Sequence, residues 1–184
     1  MSLFLDNSQI NSQINIFALC EGSDIINTME KKSVSASTTI LSEVMMPAHA
    51  NHYGSVHGGT ILKLVDEAAF VAATKHARKN VVVASMDNIE FRHSVSVGDL
   101  LTLRASIFYT GRSSMEVEVT IEAEKIKEGR KIYIGSAYLT MVALGVNGKP
   151  AKVPGVILTT DEEKEKNRLI RLKRERRIAH LREK

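Results

Sequence analysis

The 184-residue sequence contains one cysteine, no tryptophan and no long apolar run. The single cysteine, Cys20, excludes an internal disulfide framework and a zinc site built from several cysteines, and it fits a reducing compartment. Because no stretch approaches about 18 consecutive apolar residues, we predict no membrane span. Five Phe and four Tyr residues are too few to favour an aromatic platform for single-stranded nucleic acid.

An excess of charge of one sign is missing from most of the chain. Residues 1–160 hold 15 basic and 15 acidic residues, whereas residues 161–184 hold ten basic and six acidic ones and so carry the whole net charge of +4. The acidic start and basic end of this last segment suit the macrodipole of a solvated helix. We therefore expect a charged C-terminal helix and no nucleic-acid partner.

Hydrophobic periodicity predicts one folded domain of the α+β class. Residues 1–33 are interpreted as a flexible extension, residues 34–158 as the domain, and residues 159–184 as the C-terminal helix. An alanine-rich pattern with a period of 3.6 predicts a long helix over residues 60–79. Strands are predicted over residues 34–46, 81–92, 99–110, 114–124 and 131–144. This order favours an antiparallel sheet wrapped around one helix.

A row of glutamates alternates with apolar residues along the predicted strand 114–124. The glutamates are Glu116, Glu118, Glu122 and Glu124. Because side chains two apart share one face of a strand, we interpret this row as the solvated face of the sheet, and we do not interpret it as a metal site.

A histidine-rich loop before the long helix is the densest cluster of chemically active side chains. It is compatible with a polar loop that caps a helix, with a metal site, or with a metal-free hydrolytic site. The metal site would use His49, His52, His57 and Asp66. Because this spacing matches no common zinc pattern, we predict no metal.

The hydrolytic interpretation has a physical basis in two features of the helix. Asp66 lies two turns into it among Leu62 and Ala69, and partial burial would raise the pKa of its carboxyl group and make it a better base. Gly58 and Gly59, preceded by His57, would leave free N–H groups at the positive end of the helix dipole, where a substrate carbonyl can approach closely.

Four segments carry a resemblance to a known family, namely residues 45–78, 83–91, 109–119 and 148–154. Together they resemble the hotdog-fold acyl-CoA thioesterases, specifically the cytosolic acyl-CoA hydrolases that include the brain type. The resemblance extends over residues 34 to about 175. It implies a hotdog fold, in which an antiparallel sheet wraps around one long central helix, and the hydrolysis of fatty acyl-CoA to fatty acid and coenzyme A.

The resemblance also implies the site residues. The family's loop asparagine and helical aspartate align with Asn51 and Asp66, which in this family come from different subunits. We therefore expect a homodimer as the minimal active unit, assembled as a trimer of dimers in the cytoplasm. Asp66 would be the base or nucleophile, and residues 57–59 would polarise the carbonyl. Arg112, Ser113 and Ser114 would bind the phosphates of coenzyme A, and no cofactor is needed because coenzyme A is part of the substrate.

Two alternatives remain at this point. A hydroxyacyl thioester dehydratase with the same fold would pair a histidine, such as His57, with Asp66. A non-catalytic acyl-CoA sensor would use the basic tail on nucleic acid, but residues 1–33 lack the paired helices of a helix-turn-helix.

Overall fold

A computed structural model describes residues 30–87 and 89–182, and residues 180–182 are described by their backbone alone. The predicted extension therefore lies mostly outside the described residues. No helix in the described ranges is long and apolar enough to cross a membrane. The elements in chain order are β1 Lys32–Ser33, α1 Val34–Ser37, β2 Thr39–Val44, α2 Gly58–Ala77, β3 Asn80–Met86, β4 Leu100–Thr110, β5 Ser114–Lys125, β6 Arg130–Leu144, β7 Val156–Ile157 and α3 Asp161–Arg182.

Five strands form one antiparallel sheet in the order β2-β4-β5-β6-β3, and this sheet wraps around α2. Helix α2 can lie close to the strands because its buried face is built largely from alanine, with Ala68, Ala69, Ala72 and Ala73 fully buried. The opposing strand residues, such as Leu103, Ile121 and Leu139, are also fully buried. The predicted α+β class and the sheet wrapped around a central helix are confirmed.

The predicted first strand is wrong in its first residues. Residues 34–37 form the short helix α1, whose start is capped because the Ala36 N–H donates to Ser33 Oγ at 3.3 Å. The strand begins only at Thr39. Strand β1 pairs in parallel with β7, so Lys32 and Ser33 belong to the folded domain although we assigned them to the extension.

The predicted strand 81–92 ends early, at Met86. The chain then leaves the ladder, and residues 90–92 lie against the first part of β6, where the Arg92 N–H donates to the Ile134 carbonyl at 2.8 Å. A Cβ atom on Gly135 would lie only 2.2 Å from the Glu90 carbonyl oxygen, so glycine is required for this close approach.

The C-terminal helix is confirmed, and a capping box starts it. The Glu163 N–H donates to Thr160 Oγ1, and the Thr160 N–H donates to a Glu163 carboxylate oxygen. The helix is not merely solvated, since Ile170 is buried against Val34 and Phe108 on the outer face of the sheet, which is the face turned away from α2.

The outer face corrects the prediction of a solvated acidic row. Helix α3 covers Glu116 and Glu118, which are only 5% and 8% exposed, whereas Glu122 is exposed. Arg174 and Arg177 contact the Glu116 carboxylate at 3.3 and 2.9 Å. Part of the positive charge of the C-terminal segment is thus neutralised by a buried carboxylate within the fold.

A second pair of contacts extends this arrangement. Lys166 contacts the Glu118 carboxylate at 2.8 Å, and Arg177 also contacts Asp87 at 2.8 Å, just beyond the end of β3. Burial alone would lower the pKa of Arg177, but the charges of Glu116 and Asp87 outweigh burial and raise it. Helix α3 is therefore fastened to the sheet by paired charges.

Candidate active site

The start of α2 is capped by an imidazole. His57 Nδ1 accepts a hydrogen bond from the Gly59 N–H at 3.0 Å, and the His57 carbonyl accepts one from the Thr60 N–H at 2.9 Å. Because Nδ1 accepts, the neutral ring carries its proton on Nε2, where it can be donated to a ligand. Within the described residues the Gly58 N–H has no partner, so one of the two glycine N–H groups is free as expected and the other is used by the cap.

Asp66 lies a little more than two turns further along α2 and is partly buried. Its Oδ1 atom is buried without a hydrogen-bond partner among the residues that the structure describes. Burial, and to a smaller extent the charge of Glu67, raises the pKa of the Asp66 carboxyl group. An unpaired carboxylate of raised pKa is a competent base, and its burial without a partner has no structural benefit.

Asn51 is held by its own loop. Its Nδ2 donates to Ser55 Oγ at 3.0 Å and its Oδ1 accepts from the Tyr53 N–H at 2.9 Å, while the backbone closes the loop through a bond from the Asn51 N–H to the Ser55 carbonyl at 2.7 Å. The amide keeps one N–H and one acceptor lone pair for a ligand. Within the described residues, no hydrogen bond joins Asn51 to Asp66.

One side of α2 is left uncovered by the sheet. Phe70 and Val71 are 47% and 39% exposed there, one turn beyond Asp66. Strand β3 is at the edge of the sheet and carries Val83 and Met86, both 39% exposed. Both face the α2 side, because they pair with the buried Met141 and Leu139.

The predicted coenzyme A hairpin lies at the other end of the fold. Arg112 is exposed, but Ser113 and Ser114 are buried within the subunit. The Ser113 carbonyl accepts from the Ala143 N–H, close to where β6 pairs with the first residues of β3, which follow the C-terminal end of α2. Since α2 has 20 residues and is about 30 Å long, one subunit does not bring this hairpin together with Gly58.

The remaining histidines have other contacts. His49 Nδ1 accepts from the Met46 N–H, His52 stacks on Tyr53, and His76 is fully buried. Within residues 30–87 and 89–182, no group of three or more His, Cys, Asp or Glu side chains could hold a metal ion. His57 makes no contact with Asp66 in that part of the chain, so one subunit does not form the pair that a dehydratase needs.

Sequence reasoning missed the packing of α3 on the acidic face of β5. A signal for it exists in the tail, where Lys166, Ile170, Arg174 and Arg177 recur at intervals of three or four residues and so share one face of the helix. It also missed Arg92 and Lys173, which line a cavity between residues 90–92, β6 and α3.

Comparison with known proteins places the chain in a family. Residues 53–130 match the model of the Thioesterase superfamily. The chain is 32% identical over 138 residues to the Bacillus subtilis protein "Uncharacterized acyl-CoA thioester hydrolase YkhA", covering 75% of this chain and 80% of that protein. It is 34% identical over 139 residues to the rat cytosolic acyl coenzyme A thioester hydrolase, of which it spans only 36%.

The fold also matches a solved enzyme. An acyl-CoA hydrolase from Staphylococcus aureus, solved in complex with butyryl coenzyme A and coenzyme A, is similar with a TM-score of 0.78 at 36% identity, covering 84% of this chain and 94% of that one. Sequence and fold therefore agree, and the chain belongs to the acyl-CoA thioester hydrolases of the hotdog-fold thioesterase superfamily.

Proposed function

We propose that this protein hydrolyses the thioester of fatty acyl-CoA, releasing a fatty acid and coenzyme A. The observation that carries the proposal is Asp66, whose buried Oδ1 atom has no partner in the described chain and whose carboxyl pKa is raised by burial. The ionised carboxylate either takes a proton from the attacking water or attacks the thioester carbon itself. Both routes need a carboxylate that is free of structural hydrogen bonds.

The start of α2 supports polarisation of the thioester carbonyl. The unpaired Gly58 N–H lies at the positive end of the helix dipole, and the His57 Nε2–H is a second donor beside it. Gly59 contributes indirectly, because its N–H holds the His57 ring in the tautomer that presents Nε2–H. These donors would stabilise the oxyanion that forms when the carbonyl is attacked.

The spacing of Asn51 and Asp66 supports their assignment. Among the solved relatives are variants of the Staphylococcus aureus hydrolase in which an asparagine, an aspartate or a threonine is replaced by alanine. In that protein the asparagine precedes the aspartate by 15 positions, which is also the spacing of Asn51 and Asp66. The threonine follows the aspartate by 17 positions, a spacing that leads to Val83 here, which has no hydroxyl group.

We propose a homodimer as the minimal active unit, in which each active site is formed by Asn51 of one subunit and Asp66 of the other. The open side of α2 and the edge of β3 together expose Phe70, Val71, Val83 and Met86, and a second copy of this chain would cover them. Structural relatives include a hexameric acyl-CoA thioesterase. We propose a hexamer for this protein as well, built as a trimer of dimers.

Two further points concern the cofactor and the cell compartment. Coenzyme A enters as part of the substrate, so the reaction uses water and protein groups and no cofactor. The rat relative is named as a cytosolic enzyme, and we propose the cytosol for this chain, in agreement with its single cysteine.

Thiol release from a panel of short- to long-chain acyl-CoAs tests this function. Wild type should release coenzyme A, and Asp66→Asn should lose turnover by about 10²–10⁴-fold because the amide cannot act as a base. The matched control is Asp161→Asn on the surface of α3, where the side chain is 99% exposed. Wild-type silence across the panel would contradict the function, and normal turnover by Asp66→Asn would contradict the assignment of Asp66.

A further inference from the structure

The side of α3 that faces away from the sheet carries a pattern that the packing of this helix does not use. Residues at alternating intervals of four and three share one face of a helix. On this side of α3 they are Glu165, Leu169, Leu172, Arg176 and Ala179, all of them exposed. Ile170, on the other side of the helix, is buried against the sheet. We call the five exposed residues the outer seam of α3.

Two leucines form the middle of the outer seam. Leu169 is 45% exposed and Leu172 is 41% exposed, in a helix whose other residues are mostly charged. Neither leucine belongs to the buried cluster beneath α3, so the packing of the single subunit does not account for them. In a heptad pattern, leucines three residues apart occupy the two core positions of a coiled coil.

The charges of the outer seam fit an antiparallel copy of the same helix. Glu165 and Arg176 are equally far from the midpoint between Leu169 and Leu172. A two-fold axis at this midpoint places Glu165 of one helix opposite Arg176 of the other, twice in each pair. A parallel copy would instead place Glu165 opposite Glu165 and Arg176 opposite Arg176. The outer seam therefore favours the antiparallel arrangement.

One flank of the outer seam repeats this complementarity. Arg168 and Glu175 directly precede Leu169 and Arg176, and both are exposed on the same flank. Since the same flanks meet in an antiparallel pair, Arg168 of one helix would approach Glu175 of the other. Within the described residues Glu175 and Arg176 have no ion-pair partner, and Arg168 contacts only Glu165, at 2.7 Å. Exposed pairs of this kind set the orientation of a partner more than the affinity.

An anionic membrane is the other class of partner that a basic helix with exposed leucines suggests. Here the first half of α3 opposes it, because Asp161, Glu162 and Glu165 are exposed there and would be repelled by anionic lipid. A second copy of the helix suits both halves, since its basic half meets the acidic half. Charge complementarity thus favours the second copy.

We propose that the outer seam of α3 pairs antiparallel with the outer seam of a second copy of this chain, and that this contact joins the proposed dimers to one another. The outer seam lies above the outer face of the sheet, whereas the proposed dimer uses the open side of α2 and the edge of β3. One subunit therefore has room for both contacts.

This arrangement also accounts for a closed assembly. A dimer presents two outer seams, and three dimers close into a ring when each outer seam pairs once. The outer seam is only about 20 Å long, so a single contact is weak. Ring closure makes the last contact intramolecular and so strengthens the whole assembly.

Charge reversal in the full-length protein tests the antiparallel pairing. Glu165→Arg and Arg176→Glu each place like charges opposite one another, so each variant alone should lose the six-subunit species and sediment as a dimer. The double variant exchanges the two charges and should regain the six-subunit species, which a merely structural role of either residue would not produce. Lys164→Glu is the matched control, because Lys164 is exposed on α3 outside the outer seam and should leave the assembly unchanged.

A leucine variant separates this inference from the proposed function. Leu172→Gln should weaken the association of dimers by about tenfold or more, since each contact loses two buried leucines. Thiol release per subunit should equal that of wild type, because the proposed active site is complete within one dimer. If no acyl-CoA is hydrolysed, the proposed function fails while sedimentation still decides the outer seam.

Four results would overturn the inference. One is a wild type that sediments only as a dimer, and another is a six-subunit species that both single charge variants retain. A third is a double variant that stays dimeric, which would show that Glu165 and Arg176 do not face each other. The fourth is binding of wild type to phosphatidylserine vesicles that becomes stronger in Glu165→Arg, which would assign the outer seam to a membrane.

Discussion

On the outer face of the sheet, the buried Glu116 carboxylate contacts two guanidinium groups and accepts a hydrogen bond from Thr140 Oγ1 at 2.8 Å. On the inner side of the sheet, Asp66 of helix α2 has an Oδ1 atom without a partner in the described chain. Both are buried carboxylate atoms in one small domain, yet only one of them is satisfied. A carboxylate that is paired on every side stabilises the fold, whereas one that is left unpaired costs stability and is available for chemistry.

The largest effect on stability is expected from removing the Glu116 carboxylate on the outer face. Glu116→Ala leaves Arg174 and much of Arg177 without compensation under α3, so we expect a loss of about 3 kcal/mol in the free energy of unfolding. Glu122→Ala on the same strand is the control, because that side chain is exposed and should change the value by less than about 0.5 kcal/mol.

Urea unfolding of both variants gives the values, and thiol release by the folded fraction should equal that of wild type. Equal stability of Glu116→Ala and Glu122→Ala would show that the ion pairs under α3 do not hold the helix. By the same reasoning, Asp66→Asn should not lower the free energy of unfolding, because it removes a charge that burial disfavours.

A smaller effect is expected from His76, a buried histidine whose neutral form burial favours. His76 Nδ1 is hydrogen-bonded to Ser37 Oγ and Nε2 to the Pro154 carbonyl, both at 3.0 Å. Burial lowers the pKa of His76 and the charge of Lys32 adds to this, while the bond to Pro154 opposes it. The unfolded chain therefore binds a proton at a higher pH than the folded one.

From this sign, stability should fall as the pH drops below about 6.5, by at most about 1.4 kcal/mol per pH unit for one histidine. His76→Gln should flatten this part of the curve, because an amide can replace both hydrogen bonds and does not titrate. Denaturation midpoints at pH 7 and pH 5 measure the difference, with the exposed His52→Gln as control. An identical pH slope in wild type and His76→Gln would refute this role.

The smallest effect is expected in the pH dependence of turnover, where Glu67 acts on Asp66. Turnover needs the ionised form of Asp66, so kcat/KM should fall as the pH drops through a pKa that burial, and secondly Glu67, has raised. Glu67→Gln removes a like charge and should move this acid limb to lower pH by a fraction of a unit. Glu122→Gln should leave the acid limb at its wild-type pH. An acid limb at the same pH in both variants would show that Glu67 does not raise the pKa of Asp66.

The sequence was sufficient to predict the inner face of this fold. The alanine pattern of α2 and the alternation in β4, β5 and β6 are local signals, and burial follows from them directly. The positions of Asn51, His57 and Asp66 on a loop, a cap and a helix were predictable for the same reason.

The outer face was not predictable in this way, because a glutamate on every second residue is the same pattern whether water or a basic helix covers it. Glu116 and Glu118 are buried by a helix that begins more than 40 residues later, and local periodicity does not contain that contact. The early end of β3 also depends on a tertiary feature, the approach of Glu90 to Gly135.

Mixing two inactive variants tests the central claim most directly, namely that Asp66 is completed by Asn51 of another subunit. Asn51→Ala and Asp66→Ala should each be inactive alone. After unfolding and refolding together, half of randomly formed dimers are mixed and each has one intact site of two, so about one quarter of wild-type thiol release should return. No recovery in oligomers shown by mass spectrometry to contain both variants would contradict the claim.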